Sequence, residues 1–377
     1  MQFSSLPQTL SLDHPWLVAA AAGKIPHAQL LVGSEGSAAF ALAVAYAQRL
    51  LCSSPLGTDS CGQCASCVQV QHFTHPDIHF SFPFARKEKM SKDVDCDTLL
   101  REWLAFALTN TYPLLFDWMI AQGVENKQLS IPVYESRRIV RKLSMKSYSG
   151  GKKIAILWMP EKFNEAAANK LLKTIEEPEG DAVLLLITHD EEALLSTLRS
   201  RCQRLFIPPV PRDTLTDFLK NKGIPHDIAM LASMNAGGSP GVALQLCENP
   251  EILKENTASF ALCLRAAYRR SLPDMFAWSD AHSSWVRERQ KSFFLFALET
   301  LRDGLAQKHQ LPHGDPFSLS GVSFSFPGFA QLLTPPVLVS MAELFESALR
   351  DIQRNANSKI VLFDTCLALS NALHSTR

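Results

Sequence analysis

The sequence carries no net charge: 37 Lys+Arg stand against 37 Asp+Glu over 377 residues. With no overall positive field, nothing in the composition draws the chain onto nucleic acid or an anionic membrane, so any such contact has to be local or made through partners. Long apolar runs are missing too. None approaches the ~18 to 20 residues that span a bilayer, and Met1 to Asp13 lacks the basic-then-apolar order of a signal peptide. Both absences point to a cytoplasmic location. A disulfide framework is also absent: nine cysteines are an odd number, and four of them crowd between Cys52 and Cys67, which suits a metal site in a reducing compartment. No repeat of fixed period occurs. With 46% hydrophobic and 20% charged residues, an ordinary globular chain remains, long enough for two or three domains at ~100 to 200 residues each.

Along the chain, the apolar run Ala28 to Val32 stops at Gly33-Ser34-Glu35-Gly36-Ser37 and passes into the alanine-rich stretch Ala38 to Leu51, which predicts a buried strand, a glycine turn and a helix. Ile78 to Phe82 alternates as a strand after the turn His75-Pro76-Asp77. Further strands are predicted at Lys153 to Met159, at Ala182 to Thr188 and, shorter, at Arg204 to Ile207. Helices are predicted from about Asn164 to Glu176, ended by Pro178 and Gly180, and from Glu191 to Leu198. Strands alternating with helices give an α/β domain with a mostly parallel sheet over residues 1–208. Within it lie a cysteine module at 52–67 and a polar, charge-mixed stretch at about 85–130 that reads as an insertion. Pro208-Pro209-Val210-Pro211 marks a boundary. Beyond it, Thr214 to Lys222, Asp227 to Ala236 and Gly241 to Cys247 read as a small helical unit over 209–250. Residues 251–377 read as an all-helical domain, strongest at Trp285 to Lys308 and Pro336 to Leu373, with a break from Pro312 to Gly328.

A phosphate-binding loop needs glycines for close backbone approach, a lysine for the β/γ-phosphates and a hydroxyl for magnesium. At the strand-to-helix junction Gly33 and Gly36 are present, but Ala38, Ala39 and Phe40 stand where glycine, lysine and hydroxyl belong. The second long strand ends in Trp158-Met159-Pro160 rather than in acids that hold magnesium and orient water, and Glu161 lies beyond the proline. The expectation is a nucleotide-binding architecture without ATP in cis. Cys52, Cys61, Cys64 and Cys67 have a spacing that closes tetrahedrally on one zinc, and four thiolates leave no position open for water, so the zinc is expected to be structural. His72, His75 and His79 are not needed as ligands. Cys96, Cys202, Cys247, Cys263 and Cys366 are scattered and read as small buried residues. Arg201, in Ser200-Arg201-Cys202, sits where a guanidinium can reach the γ-phosphate of a nucleotide on an adjoining subunit. Taken alone, such a residue is more often just a solvated or ion-paired arginine, with Arg199 and Arg204 nearby.

The run Asn169-Lys170-Leu171-Leu172-Lys173-Thr174-Ile175-Glu176-Glu177-Pro178, the strand closing in Thr188, the Ser200-Arg201-Cys202 triplet and the four-cysteine module ahead of His75-Pro76-Asp77 together resemble bacterial clamp-loader subunits of DNA polymerase III. The likeness covers roughly residues 15–80 and 130–250. Loss of the loop lysine and strand acids, with the triplet kept, resembles the delta prime branch and not the ATP-hydrolysing gamma/tau branch. Gly241 agrees, since motor subunits usually carry a nucleotide-sensing arginine at this helix start. The resemblance implies an AAA+ module of α/β domain plus helical lid, then a helical collar. It implies a stator that completes a ring with gamma/tau and delta, with Arg201 acting in trans as a finger while the sliding clamp is placed on primed DNA. The stretch 85–130 and the C-terminal domain depart from the family pattern. Two rival readings are an ATP-hydrolysing gamma/tau-type subunit, opposed by the loop losses, and a zinc-containing DNA-binding protein. The second is opposed by the lack of Lys or Arg around the cysteines, in Leu56-Gly57-Thr58-Asp59 and Gly62-Gln63.

Overall fold

Five parallel strands, β1 (Ala28–Val32), β2 (Ile78–Ser81), β3 (Lys153–Trp158), β4 (Ala182–Thr188) and β5 (Gln203–Phe206), lie in the order β2-β3-β4-β1-β5. The computed structural model describes residues 1–7, 13–86, 94–125, 127–311, 313–317 and 321–374. Parts of three sequence-predicted segments fall outside the described residues: 8–12 of the N-terminal stretch, 87–93 and 126 of the insertion, and 312 and 318–320 of the helical break. β3 and β4 are buried along their whole length, as their unbroken apolar runs require of central parallel strands. β5 is an edge strand and largely exposed.

Side-chain alternation divides the strands between two faces. On one face Leu30, Ala155, Leu157, Leu184 and Leu186 meet Ile139 and Leu143 of the helix Val133–Ser144 and Leu171 and Ile175 of the helix Glu165–Glu176. The latter helix starts at Asn164, whose side-chain oxygen accepts from the Ala167 amide at 2.8 Å. The helix Ala39–Leu51 is buried on every side from Ala39 to Gln48. Its five alanines leave room for close approach to β1, β3 and β4, and a helix apolar all round is one that is covered all round.

One sequence reading is extended and one is corrected. The stretch read as a polar insertion supplies core: its helices Leu100–Thr109 and Leu115–Gln122 bury Trp103, Phe106 and Trp118. Trp103 stacks on Phe82 at 4.4 Å and lies 5.1 Å from Trp158. The charged average hid apolar residues at helical spacing, Leu99, Trp103, Phe106 and Ala107. The helix read at 191–198 is only Ser196–Arg199, because the Asp190 carboxylate takes the Ala193 amide at 3.1 Å and turns the chain first.

The chain divides into two compact units, residues 1–218 with 238–242, and 219–237 with 243–377. The stretch 209–250 forms the helices Arg212–Asn221, His226–Asn235 and Pro240–Glu248 and is shared between the two units. The second unit continues with six helices from Pro250 to His374, around a core that includes Phe260, Phe293, Phe294, Phe326 and Phe345. Among the described residues, no single helix is long and apolar enough to cross a membrane. A five-stranded parallel sheet flanked by helices, followed by helices alone, is the AAA+ architecture that the resemblance implies.

Candidate functional sites: the loop after the first strand, the four-cysteine cluster and Arg201

β1 runs into the loop 33–38 at the carboxyl edge of the sheet, the place where an open α/β sheet binds its ligand. Gly36 has φ +68°, a backbone state that favours glycine, and turns the chain into the helix Ala39–Leu51. In a phosphate-binding loop the space over these glycines and the helix N-terminus belongs to the ligand. Here the chain's own segments pack against the turn. The Gly241 amide donates to the Gly36 carbonyl at 2.9 Å, and the Ser239 hydroxyl donates to the Glu35 carbonyl at 2.9 Å. From the other side the Leu115 amide donates to the Glu35 carboxylate at 2.6 Å. A Cβ on Gly36 would come within 2.6 Å of Leu114 Cδ2, and one on Gly241 within 2.4 Å of the Tyr112 carbonyl oxygen. An arginine at 241 therefore has no room. Ala39 and Phe40, at the positions of lysine and hydroxyl, are buried.

The ends of β3 and β4 tell the same story. Trp158 is fully buried, and Met159 follows with φ +58°. Trp158 lies 5.1 Å from Trp103, around which Phe40, Phe82 and Trp118 gather, so the end of β3 leads into an aromatic cluster and carries no acid to hold a metal and a water. Glu161 faces the end of β4: it accepts from the Thr188 hydroxyl at 2.9 Å and the His189 amide at 3.2 Å. The His189 ring contacts the Gly33 carbonyl through Nδ1 at 3.0 Å. These contacts tie the sheet edge together. Sequence reading found the missing lysine and acids. It missed the segments that pack on the turn, because residues 112–115 and 239–241 are remote in sequence from the loop.

Cys52, Cys61, Cys64 and Cys67 bring their sulfurs within 4.8 Å of one another. The separations are 3.5 Å for Cys52 to Cys61, 3.9 Å for Cys61 to Cys67 and 3.9 Å for Cys64 to Cys52. A thiolate tetrahedron with bonds of ~2.3 Å has edges of about 3.8 Å, so the donor set fits one metal ion. Hydrogen bonds favour thiolate at Cys61 and Cys64, whereas burial raises the thiols of Cys52 and Cys67. Cys61 is held below the ordinary thiol range by the amides of Gln63 and Cys64. Burial opposes the Cys64 thiolate, but hydrogen bonds from Ser53 and Cys67 outweigh it and bring the thiol to about 6. His72, His75 and His79 are not in the cluster. The same turn holds the start of the chain, a contact that sequence reading did not anticipate. The Asp59 carboxylate accepts from the amides of Phe3 and Ser4, both at 3.1 Å, and the Gln2 side-chain amide donates to the Ser60 carbonyl at 2.7 Å.

Arg201 stands just past the short helix Ser196–Arg199, on the surface. Leu198 and Cys202 on either side pack into the core, and burial pushes the Cys202 thiol up to about 12. The backbone is thus anchored while the guanidinium projects. Its Nη1 donates to the Thr197 carbonyl at 2.9 Å, and its Nε donates to the Glu176 carboxylate. Arg199 and Arg204 pair separately, with Glu192 and Glu191.

A family model described as DNA polymerase III, delta subunit, matches residues 15–211, more than half of the chain. Among curated proteins, DNA polymerase III subunit delta' of Escherichia coli (strain K12) is 28% identical over 289 residues, 76% of this chain and 72% of that protein. The delta' subunit of Pseudomonas aeruginosa is 34% identical over 182 residues, 48% of this chain and 43% of that one. Among solved structures, a DNA polymerase III gamma-subunit-related protein from Thermotoga maritima aligns over 95% of this chain and 100% of its own, with 15% identity and a TM-score of 0.39. With the family match spanning the sheet, the cysteine cluster and the Ser-Arg-Cys triplet, the chain belongs to the delta prime family of bacterial DNA polymerase III clamp-loader subunits.

Proposed function

We propose that this chain is the non-hydrolysing stator of a clamp loader. In this reading it completes a ring with gamma/tau and delta subunits in the cytoplasm and presents Arg201 to ATP held by the adjacent gamma/tau subunit while the sliding clamp is loaded on primed DNA. The observation that carries it is the closed-in, degenerate loop: the Gly241 amide bonds the Gly36 carbonyl, and Tyr112, Leu114 and Leu115 pack on the same turn. Ala39 offers no charge to offset phosphate, and Trp158 and Met159 offer no ligand to magnesium. Arg201 is the complementary half, an always-charged fork on an anchored backbone, of the kind that stabilises charge developing on a transferred phosphoryl group. In the three-part division, 1–208 is the AAA+ α/β domain, 209–250 the lid and 251–377 the collar.

Two measurements test this. Calorimetry of the isolated chain with Mg·ATP is expected to show no micromolar binding, and a turnover assay no hydrolysis; either activity would favour the gamma/tau-type reading. In a ring reconstituted with gamma/tau and delta, Arg201→Ala is expected to leave assembly intact and lower clamp- and primer-stimulated ATPase in part, because one of several sites is affected. Arg201→Lys should not restore the rate fully, since a point charge lacks the planar donor fork. An unchanged rate would leave Arg201 as a surface arginine.

The four-cysteine cluster is proposed to hold one structural zinc, which supplies a rigid four-thiolate staple and no open coordination position. Elemental analysis should find about one equivalent per chain, lost in Cys64→Ser. Full metal content in that variant would remove the assignment.

A further inference from the structure

Glu176 is the last residue of the helix Glu165–Glu176. A carboxylate there sits at the negative end of the helix dipole, where acids are disfavoured, and Glu177 follows it. Arg201 offsets that repulsion. The pair is half-exposed, with side chains 37% and 45% accessible for Arg201 and Glu176, so it is not a buried structural tie. What matters is which donors it uses. Glu176 takes Nε, and the Thr197 carbonyl takes Nη1 at 2.9 Å. Nη2 has no partner among the described residues, and it forms one arm of the edge that matches phosphate oxygens. A carboxylate acting as a cover would grip the paired Nη1/Nη2 edge and close it. One that grips Nε, with Nη1 on the Thr197 carbonyl, stops the long side chain from rotating and leaves Nη2 without a protein acceptor among the described residues.

We propose that Glu176 is the positioning residue for Arg201. Resting on the reading of Arg201 given above, this assigns Glu176 the task of orienting the guanidinium so that its Nη2 side meets the γ-phosphate of a nucleotide bound by the neighbouring subunit. Thr197 contributes only a backbone carbonyl, so among the described residues Glu176 is the side chain that sets the orientation. Losing it frees the arginine to sample other rotamers, and misorientation of a charged group at a phosphoryl-transfer site lowers the rate of the chemical step more than it weakens ground-state binding.

The test is a double-mutant cycle in the reconstituted ring, with hydrolysis confined to the nucleotide site that faces this chain. Glu176→Ala is expected to lower kcat at that site about tenfold with KM for ATP unchanged. Glu176→Gln, which keeps an oxygen to accept from Nε, should recover most of the rate. The double variant Glu176→Ala/Arg201→Ala should be no slower than Arg201→Ala alone, because the two residues act as one unit. In the isolated chain, the Arg201 Nε–H resonance should lose its exchange protection in Glu176→Ala and keep it in Glu176→Gln. Wild-type kcat in Glu176→Ala while Arg201→Ala is impaired would overturn this proposal and leave the arginine-finger reading standing. So would a faster Glu176→Ala, which would make the carboxylate a cover. A normal rate in Arg201→Ala would overturn both.

Discussion

Single residues in this chain do work that their sequence neighbourhood does not announce. Asp77, in the turn ahead of β2, is buried, and its carboxylate accepts from the Ser147 hydroxyl at 3.0 Å, the Tyr148 amide at 2.8 Å, and the Ser149 amide and hydroxyl at 3.0 and 2.6 Å. Burial opposes its charge, but the Ser149, Tyr148 and Ser147 hydrogen bonds outweigh it and hold the carboxyl below its usual range. A depressed carboxyl stabilises the fold above its unfolded pKa and loses that contribution as the pH falls through the folded value. Next to it, His79 is lowered to about 4, first by burial and then by the charges of Arg138, Lys142 and Lys153. Its native state is neutral, so the unfolded chain binds the extra proton and stability falls as the pH drops from about 6.5 towards 4. Two acid windows follow. Urea midpoints taken between pH 7 and pH 3 should decline first in the histidine window, to which His75 and His282, also lowered by burial, contribute, and again below pH 4; His79→Gln should reduce only the first decline. Asp77→Ala should cost about 1 to 3 kcal/mol at neutral pH, because two amides and two hydroxyls lose their acceptor. A neutral-pH stability equal to wild type would show that the loop 147–149 finds other partners.

At the scale of elements, the cysteine-bearing turn and the aromatic cluster each join segments far apart in sequence. The turn 56–60 closes on itself through the Leu56 and Asp59 backbones, and through Asp59 and Ser60 it holds residues 2–4. Phe3 is buried edge-on to Trp16, which in turn stacks on Tyr46 at 4.1 Å. Removal of the metal should therefore loosen the first residues as well as the loop. Hydrogen exchange with and without chelator is expected to show faster exchange at the Phe3 and Ser4 amides, and Asp59→Ala should produce the same change with the metal still bound. Unaltered protection of these amides after chelation would mean that the turn holds its shape without an ion. The aromatic cluster behaves as core: Trp103 touches Phe40, Phe82, Phe106, Trp118 and Trp158. Trp103→Ala should cost about 3 to 5 kcal/mol, the usual range for a buried tryptophan. A loss below 1 kcal/mol would return the helix Leu100–Thr109 to the status of an insertion.

For the whole molecule, the parallel sheet, the helices beside it and the helical second half were legible because burial leaves a period in the sequence. Central parallel strands need unbroken apolar runs, helices need apolar residues at intervals of three and four, and the turns need the glycines and prolines that end them. β1, β3 and β4, the helix after Asn164 and the cysteine spacing all follow from such local rules. The four thiols are legible for the same reason, since short loops bring neighbours in sequence together in space. The loss of a lysine and of acids was equally plain. What packs on the loop at Gly36 was not: Gly241, Ser239, Tyr112 and Leu114 reach Gly36 across 76 to 205 residues, and no local pattern encodes such a meeting. The aromatic cluster was hidden because a charged outer face dilutes the apolar one in any composition count. Arg201 was visible as a motif, yet its hold by Glu176 depends on the end of one helix lying beside the turn after another. Sequence by itself determined the strands of the sheet, most of the helices outside 85–130 and which chemistry is missing. Only the tertiary structure decided which segments pack on the loop at Gly36 and which carboxylate holds Arg201, because both depend on long-range packing that brings remote backbones into contact.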